Sequence, residues 1–220
     1  MSILLNVLAA PREAFEQIKN QPRWLFATAV NSAGLFAVLW LGLIWRNPAT
    51  GFEWTRMVLP ALISPLIVGI VSTGSSAFVF LLVAMFGGRG EGIPSFRTIH
   101  CLNVHCGVIV LLGEVVNVLL VCSKIAGEIE FALPNRFPLG LDALFLLVGV
   151  PGVYAVILLH CTGVFILWYL VVLAKGLHDV CGTSARSSGM IAAGLWCVTV
   201  GFVLGLVYLA GGGTTIRIAM

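Results

Sequence analysis

The residues able to do chemistry in this chain are few, and they fall into two groups. The first is histidine with cysteine: His100–Cys101, His105–Cys106, His160–Cys161, and His178 three residues before Cys181. Thiolate and imidazole are soft-to-borderline ligands that suit zinc or copper(I). Cys101 and His105 are four residues apart, so a helix places them on one face. His178 and Cys181 are expected in a short connection on the same side of a membrane. Together Cys101, His105, His178 and Cys181 form a candidate metal set. Their spacing matches no zinc pattern such as CxxC with HxxxH. Cysteine also serves as a small buried hydrophobe. The expectation is no bound cofactor, with zinc or copper as the alternative.

The second group centres on Glu114, the one formal charge inside a long apolar stretch. Glu114 and Asn117 both lie within about 40° of the direction of Asn103 on a helix, at 100° per residue. The result is a polar stripe of Asn103, Glu114 and Asn117. Glu114 would sit about 24 Å from the inner end of its helix at 1.5 Å per residue. Ionisable groups inside a membrane are costly and face the bundle interior or water. Two chemistries fit: a proton or ion step, or a protonated Glu that hydrogen-bonds one helix to another. One acid without a basic partner is a poor relay, so the second is expected.

No other constellation supports catalysis. GxxxxGK[ST], HExxH and GxSxG are all absent. The run Gly87-Gly88-Arg89-Gly90-Glu91-Gly92 lies between helices and not after a strand, so it is a turn rather than a dinucleotide loop. The chain is expected not to be an enzyme.

The elements that carry these groups follow from composition. Of 220 residues, 60% are hydrophobic and 10% charged, against about 25% charged in a soluble domain. A soluble shell cannot be made from 12 basic and 9 acidic residues, and a disordered chain would be charge-rich. The charges divide the sequence into uncharged stretches of more than about 20 residues, each enough to cross a hydrocarbon core as a helix. The expected architecture is all-α: a polytopic integral membrane protein with five transmembrane helices after a short amphipathic N-terminal helix. The spans are placed at about 24–45, 60–86, 98–122, 145–174 and 188–210, within a membrane domain of 24–216.

Seven Lys and Arg flank one side: Arg12, Lys19, Arg23, Arg89, Arg97, Lys175 and Arg186. Five flank the other: Arg46, Arg56, Lys124, Arg136 and Arg217. The excess predicts a cytoplasmic N-terminus, an outer C-terminus and a cell-membrane location. Trp24, Trp45, Trp54, Trp168 and Tyr169 fall at span ends, as an interfacial belt would. Inner cysteines are expected to stay reduced.

Residues 1–23 form the amphipathic segment. Phe15 and Ile18 continue an apolar stripe, with Arg12, Glu13, Glu16 and Lys19 on the polar side. Such a helix either caps the bundle or docks on lipid or a partner. Gly201 and Gly205 form a GxxxG pair, for which packing inside the bundle is expected.

Three segments together resemble the Yip1 family in its prokaryotic form. They are Pro11-Arg12-Glu13-Ala14-Phe15 with Gln21-Pro22-Arg23-Trp24; Phe86-Gly87-Gly88 through Ser95-Phe96-Arg97-Thr98; and Trp168 through Ala174-Lys175-Gly176-Leu177 with Gly182-Thr183-Ser184-Ala185. The resemblance implies a five-helix, non-enzymatic membrane protein with no catalytic residues. It implies membrane-protein partners, as in trafficking relatives that associate with Rab-type GTPases and in prokaryotic relatives that accompany ABC transporters. The family's GTPase-binding region is longer than the 23 residues before the first span here, so GTPase binding is not expected, and nucleic-acid binding is not expected either. The function expected is that of an adaptor or scaffold in contact with lipid. The alternative is a small transporter or channel built on Glu114.

Overall fold

A computed structural model describes residues 3–46, 54–86, 94–122, 162–207 and Leu209. The described residues are helical, with no strand among them. Among the described residues there are seven helices: α1 (Ile3–Ala9), α2 (Pro11–Asn20), α3 (Leu25–Arg46), α4 (Trp54–Phe86), α5 (Phe96–Cys122), α6 (Val164–Cys181) and α7 (Ala185–Val207). Four stretches are long and apolar enough to cross a membrane: Val58–Phe86, Phe96–Leu119, Val164–Cys181 and Ala185–Leu206. The apolar stretch of α3, Leu25–Leu41, is shorter. The chain is a polytopic all-α membrane protein. Residues 145–161 of the expected fourth span, the acidic loop before them, the glycine run 87–92 and the pair His160–Cys161 lie outside the described residues.

Side-chain contacts fix the helix directions. Asn31 meets Val104, Trp24 meets His100 and the Gly34 backbone meets Leu111, so α3 and α5 run parallel. Asn103 meets Ser75 and Ser76 of α4, and Phe96 meets Phe80, so α4 is antiparallel to α5. Tyr169 meets Asn103 and Phe165 meets the Gly113 backbone, so α6 is antiparallel to α5 as well. α5 is the central helix, in contact with α1, α2, α3, α4 and α6.

The amphipathic N-terminal segment caps the bundle. Pro11 stands at the start of α2, where its missing N–H costs nothing. Glu13 in the first turn and Lys19 in the last match the helix dipole. Phe15 is 1% exposed and Ile18 is 0% exposed, both within the core built by α5 and α6. Arg12, Glu13, Glu16 and Lys19 face outward, with Arg12 and Glu16 3.9 Å apart. The apolar stripe of α2 is therefore spent on protein. Its seat is Gly176 of α6: a Cβ there would stand 2.5 Å from Leu102 Cδ1 and 3.0 Å from Phe15 Cε1.

One expectation is corrected. His178 and Cys181 are not in a loop; they occupy the last turn of α6. The helix continues past Lys175 because Leu177 and Val180 are core residues. It stops at Gly182, whose left-handed backbone (φ 65°, ψ 18°) closes the C-terminus with an N–H to the His178 carbonyl. Among the described residues, nothing packs on the Gly201–Gly205 pair. Both residues face outward, and a Cβ at either would meet nothing within 4 Å. The face of α7 that packs carries Ile191 and Leu195 instead.

These two kinds of glycine should respond oppositely to the same substitution. Gly176→Ala is expected to cost about 1–3 kcal/mol, because the core around Phe15 must shift. Gly201→Ala is expected to be neutral or to gain up to about 1 kcal/mol of helix propensity. Thermal unfolding of the detergent-solubilised protein checks both. A Gly176→Ala midpoint at or above the wild-type value would remove the wedge account of α2.

Candidate functional site

Among the described residues, a set of hydrogen-bonded polar side chains joins α4, α5 and α6. Its hub is Asn103, which is buried. The Tyr169 hydroxyl donates to Asn103 Oδ1 at 2.7 Å. Asn103 Nδ2 donates to Ser75 Oγ at 2.7 Å and to Ser76 Oγ at 3.0 Å. Both serine hydroxyls donate onward to the Ser72 carbonyl, at 3.1 and 2.5 Å. Ser72, Ser75 and Ser76 share one face of α4 because they are three and four residues apart.

The donor count fixes the tautomer of His100. Ser76 has one proton, and the Ser72 carbonyl takes it. The 3.1 Å contact between His100 Nδ1 and Ser76 Oγ is therefore made by an imidazole N–H that donates. Trp24 meets the His100 ring edge-on at 5.2 Å, and Phe96 stacks on it at 5.8 Å. Polar cluster and aromatic clamp thus tie the starts of α3 and α5 to α4. Asn31 adds a further tie between α3 and α5, donating to the Val104 carbonyl at 2.9 Å.

The cysteine and histidine residues are only partly brought together. Cys101 Sγ lies 3.5 Å from His105 Nδ1, both side chains buried. His105 Nδ1 is also 2.7 Å from the Cys101 carbonyl. A carbonyl only accepts, so Nδ1 carries the proton, and it offers no lone pair to a metal or to the thiol. His178 is exposed on α6, and its Nδ1 donates to the Thr183 carbonyl at 2.6 Å. Cys181 is half-buried nearby in sequence. Among the described residues, no three His, Cys, Asp or Glu side chains stand close enough together to hold a metal. The geometry assembles the Cys101–His105 pair and leaves His178 in the last turn of α6, beside the connection to α7. There Thr183 Oγ1 donates to the Leu177 carbonyl at 2.9 Å, and Ser184 Oγ caps α7 by accepting the Ser187 N–H at 3.0 Å.

Of the stripe expected along α5, Asn103 is engaged by α4 and α6. Asn103 and Asn117 are buried, and Glu114 is half-buried. Asn103 turns to other helices rather than along its own, and Glu114 and Asn117 have interactions of their own. Sequence reasoning missed Ser72, Ser75, Ser76, His100 and Tyr169 as members of one cluster. The signal present was the serine spacing on α4. What was missing was the knowledge that Tyr169, 66 residues from Asn103, lies opposite it.

Removing the hub should cost more than removing one spoke. Asn103→Leu leaves the Tyr169 hydroxyl unpaired and strips donors from two serines, with an expected loss of about 1–3 kcal/mol. Tyr169→Phe deletes one bond, worth about 0.6 kcal/mol in a membrane helix bundle. Thermal unfolding in detergent separates them, and equal losses would show that Asn103 is no hub. Chelator treatment is expected to leave the unfolding midpoint unchanged; a fall restored by zinc or copper would reinstate the metal site.

No curated protein and no solved structure matches the chain. A family model does: the Yip1 domain matches residues 5–208. That range takes in α1 to α7 almost entirely and contains all three segments from which the resemblance was drawn. The chain is a member of the Yip1 domain family.

Proposed function

We propose that the chain is a non-enzymatic membrane adaptor or scaffold that associates with other membrane proteins and with lipid, its N-terminus on the cytoplasmic side. One observation carries this reading. The polar groups buried between α4, α5 and α6 are bonded to each other in a fixed direction, from Tyr169 and His100 toward the Ser72 carbonyl. An asparagine amide stands in the middle of that chain. An amide neither gains nor loses a proton near neutral pH, so the cluster joins helices rather than conducting protons. The polar face of α2, with Arg12, Glu13, Glu16 and Lys19, is left outward for a partner while its apolar face is occupied.

The partner class follows from the family resemblance: an integral membrane protein such as an ABC transporter, without a requirement for GTPase or nucleic acid. Crosslinking in native membranes followed by purification is expected to recover a specific membrane-protein partner. Charge reversal at Arg12 and Lys19 is expected to reduce that recovery at least severalfold. Recovery of no specific partner, together with unchanged lipid behaviour, would overturn the adaptor reading.

A second reading rests on Glu114, a half-buried acid within α5. A small transporter or channel using it should show flux in proteoliposomes that falls in Glu114→Gln. Flux that is absent, or unchanged by the substitution, ends that reading.

A further inference from the structure

The starts of α3 and α5 form a two-arginine surface that neither the polar cluster nor the α2 seat uses. The Trp24–His100 contact at 5.2 Å draws the first residues of α3 against the first turn of α5. Arg23, two residues before α3, and Arg97, in the first turn of α5, therefore stand on neighbouring stretches of backbone. Both side chains are exposed, and neither has an ion-pair partner among the described residues. Lys19, also exposed, closes α2 four residues before Arg23.

What lies beside the charges decides the ligand. Leu25 is 69% exposed, Phe26 63% and Phe96 39%. Leu25 and Phe26 come two and three residues after Arg23, and Phe96 directly precedes Arg97, at the entry to the apolar part of α3 and α5. The surface therefore has a cationic rim above an uncovered apolar strip. A free phosphate would use only the rim. A phospholipid with an anionic headgroup uses both: its phosphate meets the guanidinium pair, which favours bidentate geometry with phosphate oxygens, and its acyl chain lies along Leu25, Phe26 and Phe96.

We infer that Arg23 and Arg97, with Lys19 nearby, bind the headgroup of an anionic glycerophospholipid in the leaflet at the α1–α2 end. The inference deepens the lipid-associating part of the adaptor reading. It is separable from the protein-partner part, because its test alters Arg23 and Arg97, which lie outside α2.

Native mass spectrometry of the purified full chain, with phosphatidylglycerol and phosphatidylcholine at equal concentration, tests it. Wild type is expected to retain phosphatidylglycerol in preference. The pair Arg23→Gln with Arg97→Gln is expected to bind it roughly thirtyfold more weakly, at about fivefold per cation near an anionic lipid surface. The pair Arg23→Lys with Arg97→Lys keeps the charge and is expected to stay within a few-fold of wild type. The control Arg12→Gln with Lys175→Gln, away from the apolar strip, is expected to match wild type. Equal retention of the two lipids by wild type overturns the site. So does a folded glutamine pair that binds like wild type, or a control pair that loses as much. Displacement of phosphatidylglycerol by millimolar inorganic phosphate overturns the lipid assignment. If the glutamine pair fails to fold, wild-type selectivity and the lysine pair decide: a lysine pair with no preference for phosphatidylglycerol overturns the proposal. Capture of the membrane-protein partner by the glutamine pair keeps failure here distinct from failure of the adaptor reading.

Discussion

Asn103 is the residue on which the bundle's arrangement turns. In hydrocarbon there is no water to accept a stray donor, and each unsatisfied polar group costs several kcal/mol. An amide on the central helix can be buried only if donors and acceptors on its neighbours meet it. Here α4 supplies two serine oxygens and α6 supplies a tyrosine hydroxyl. Those bonds set the rotation of α5 against two helices at once. Apolar packing alone would not, because leucine-like side chains gain little from exchanging lipid for one another. The serines in turn are held by the Ser72 carbonyl, so their hydroxyls point one way. His100 then has only one role left to it, that of donor.

The second constraint acts where the bundle leaves the apolar layer. α1 and α2 are too short to be stable alone, and α2 exists as a helix because Ala14, Phe15 and Ile18 find a seat. That seat needs a position without a side chain, and Gly176 provides it. An apolar stripe at helical spacing states that one face will be covered. It does not state by what. Protein covers it here, so α2 presents charge rather than hydrophobicity to its surroundings.

The architecture was largely legible because charge is so scarce. Uncharged stretches located the helices, and polar runs located the connections. The ends were less legible. α4 begins at Trp54 rather than near residue 60, α5 at Phe96 rather than 98, and α6 runs on to Cys181. Polar residues such as Arg97, Lys175 and His178 belong to helices whose other faces are buried. A long cationic side chain can leave the apolar layer while its backbone stays within it. The polar site was legible only in part. Asn103 stood out by type, yet its sequence-based partners were Glu114 and Asn117, on its own helix. Its contacts lie 27, 28 and 66 residues away, on helices whose facing rotation no single-helix pattern contains. Gly201 and Gly205 show the same limit from the other side. The GxxxG spacing gives a smooth strip along α7 but no partner for it, and nothing among the described residues approaches it.

Among the described residues, several specific contacts gather at the end that carries α1 and α2. The clamp on His100, the Asn103 cluster, the Phe15 seat, the Gly182 helix end and the Thr183–Ser184 cap all lie in the half that carries α1 and α2. Five helix starts or ends are held there by directional bonds or close backbone approach. Recognition of a partner or a headgroup favours groups whose positions are already set, since ordering them on binding costs affinity. The exposed cations at this end, Lys19, Arg23, Arg97, Lys175 and Arg186, stand on that fixed frame. The same bonds that join the helices therefore also define this surface, which is what the proposed adaptor reading asks of it.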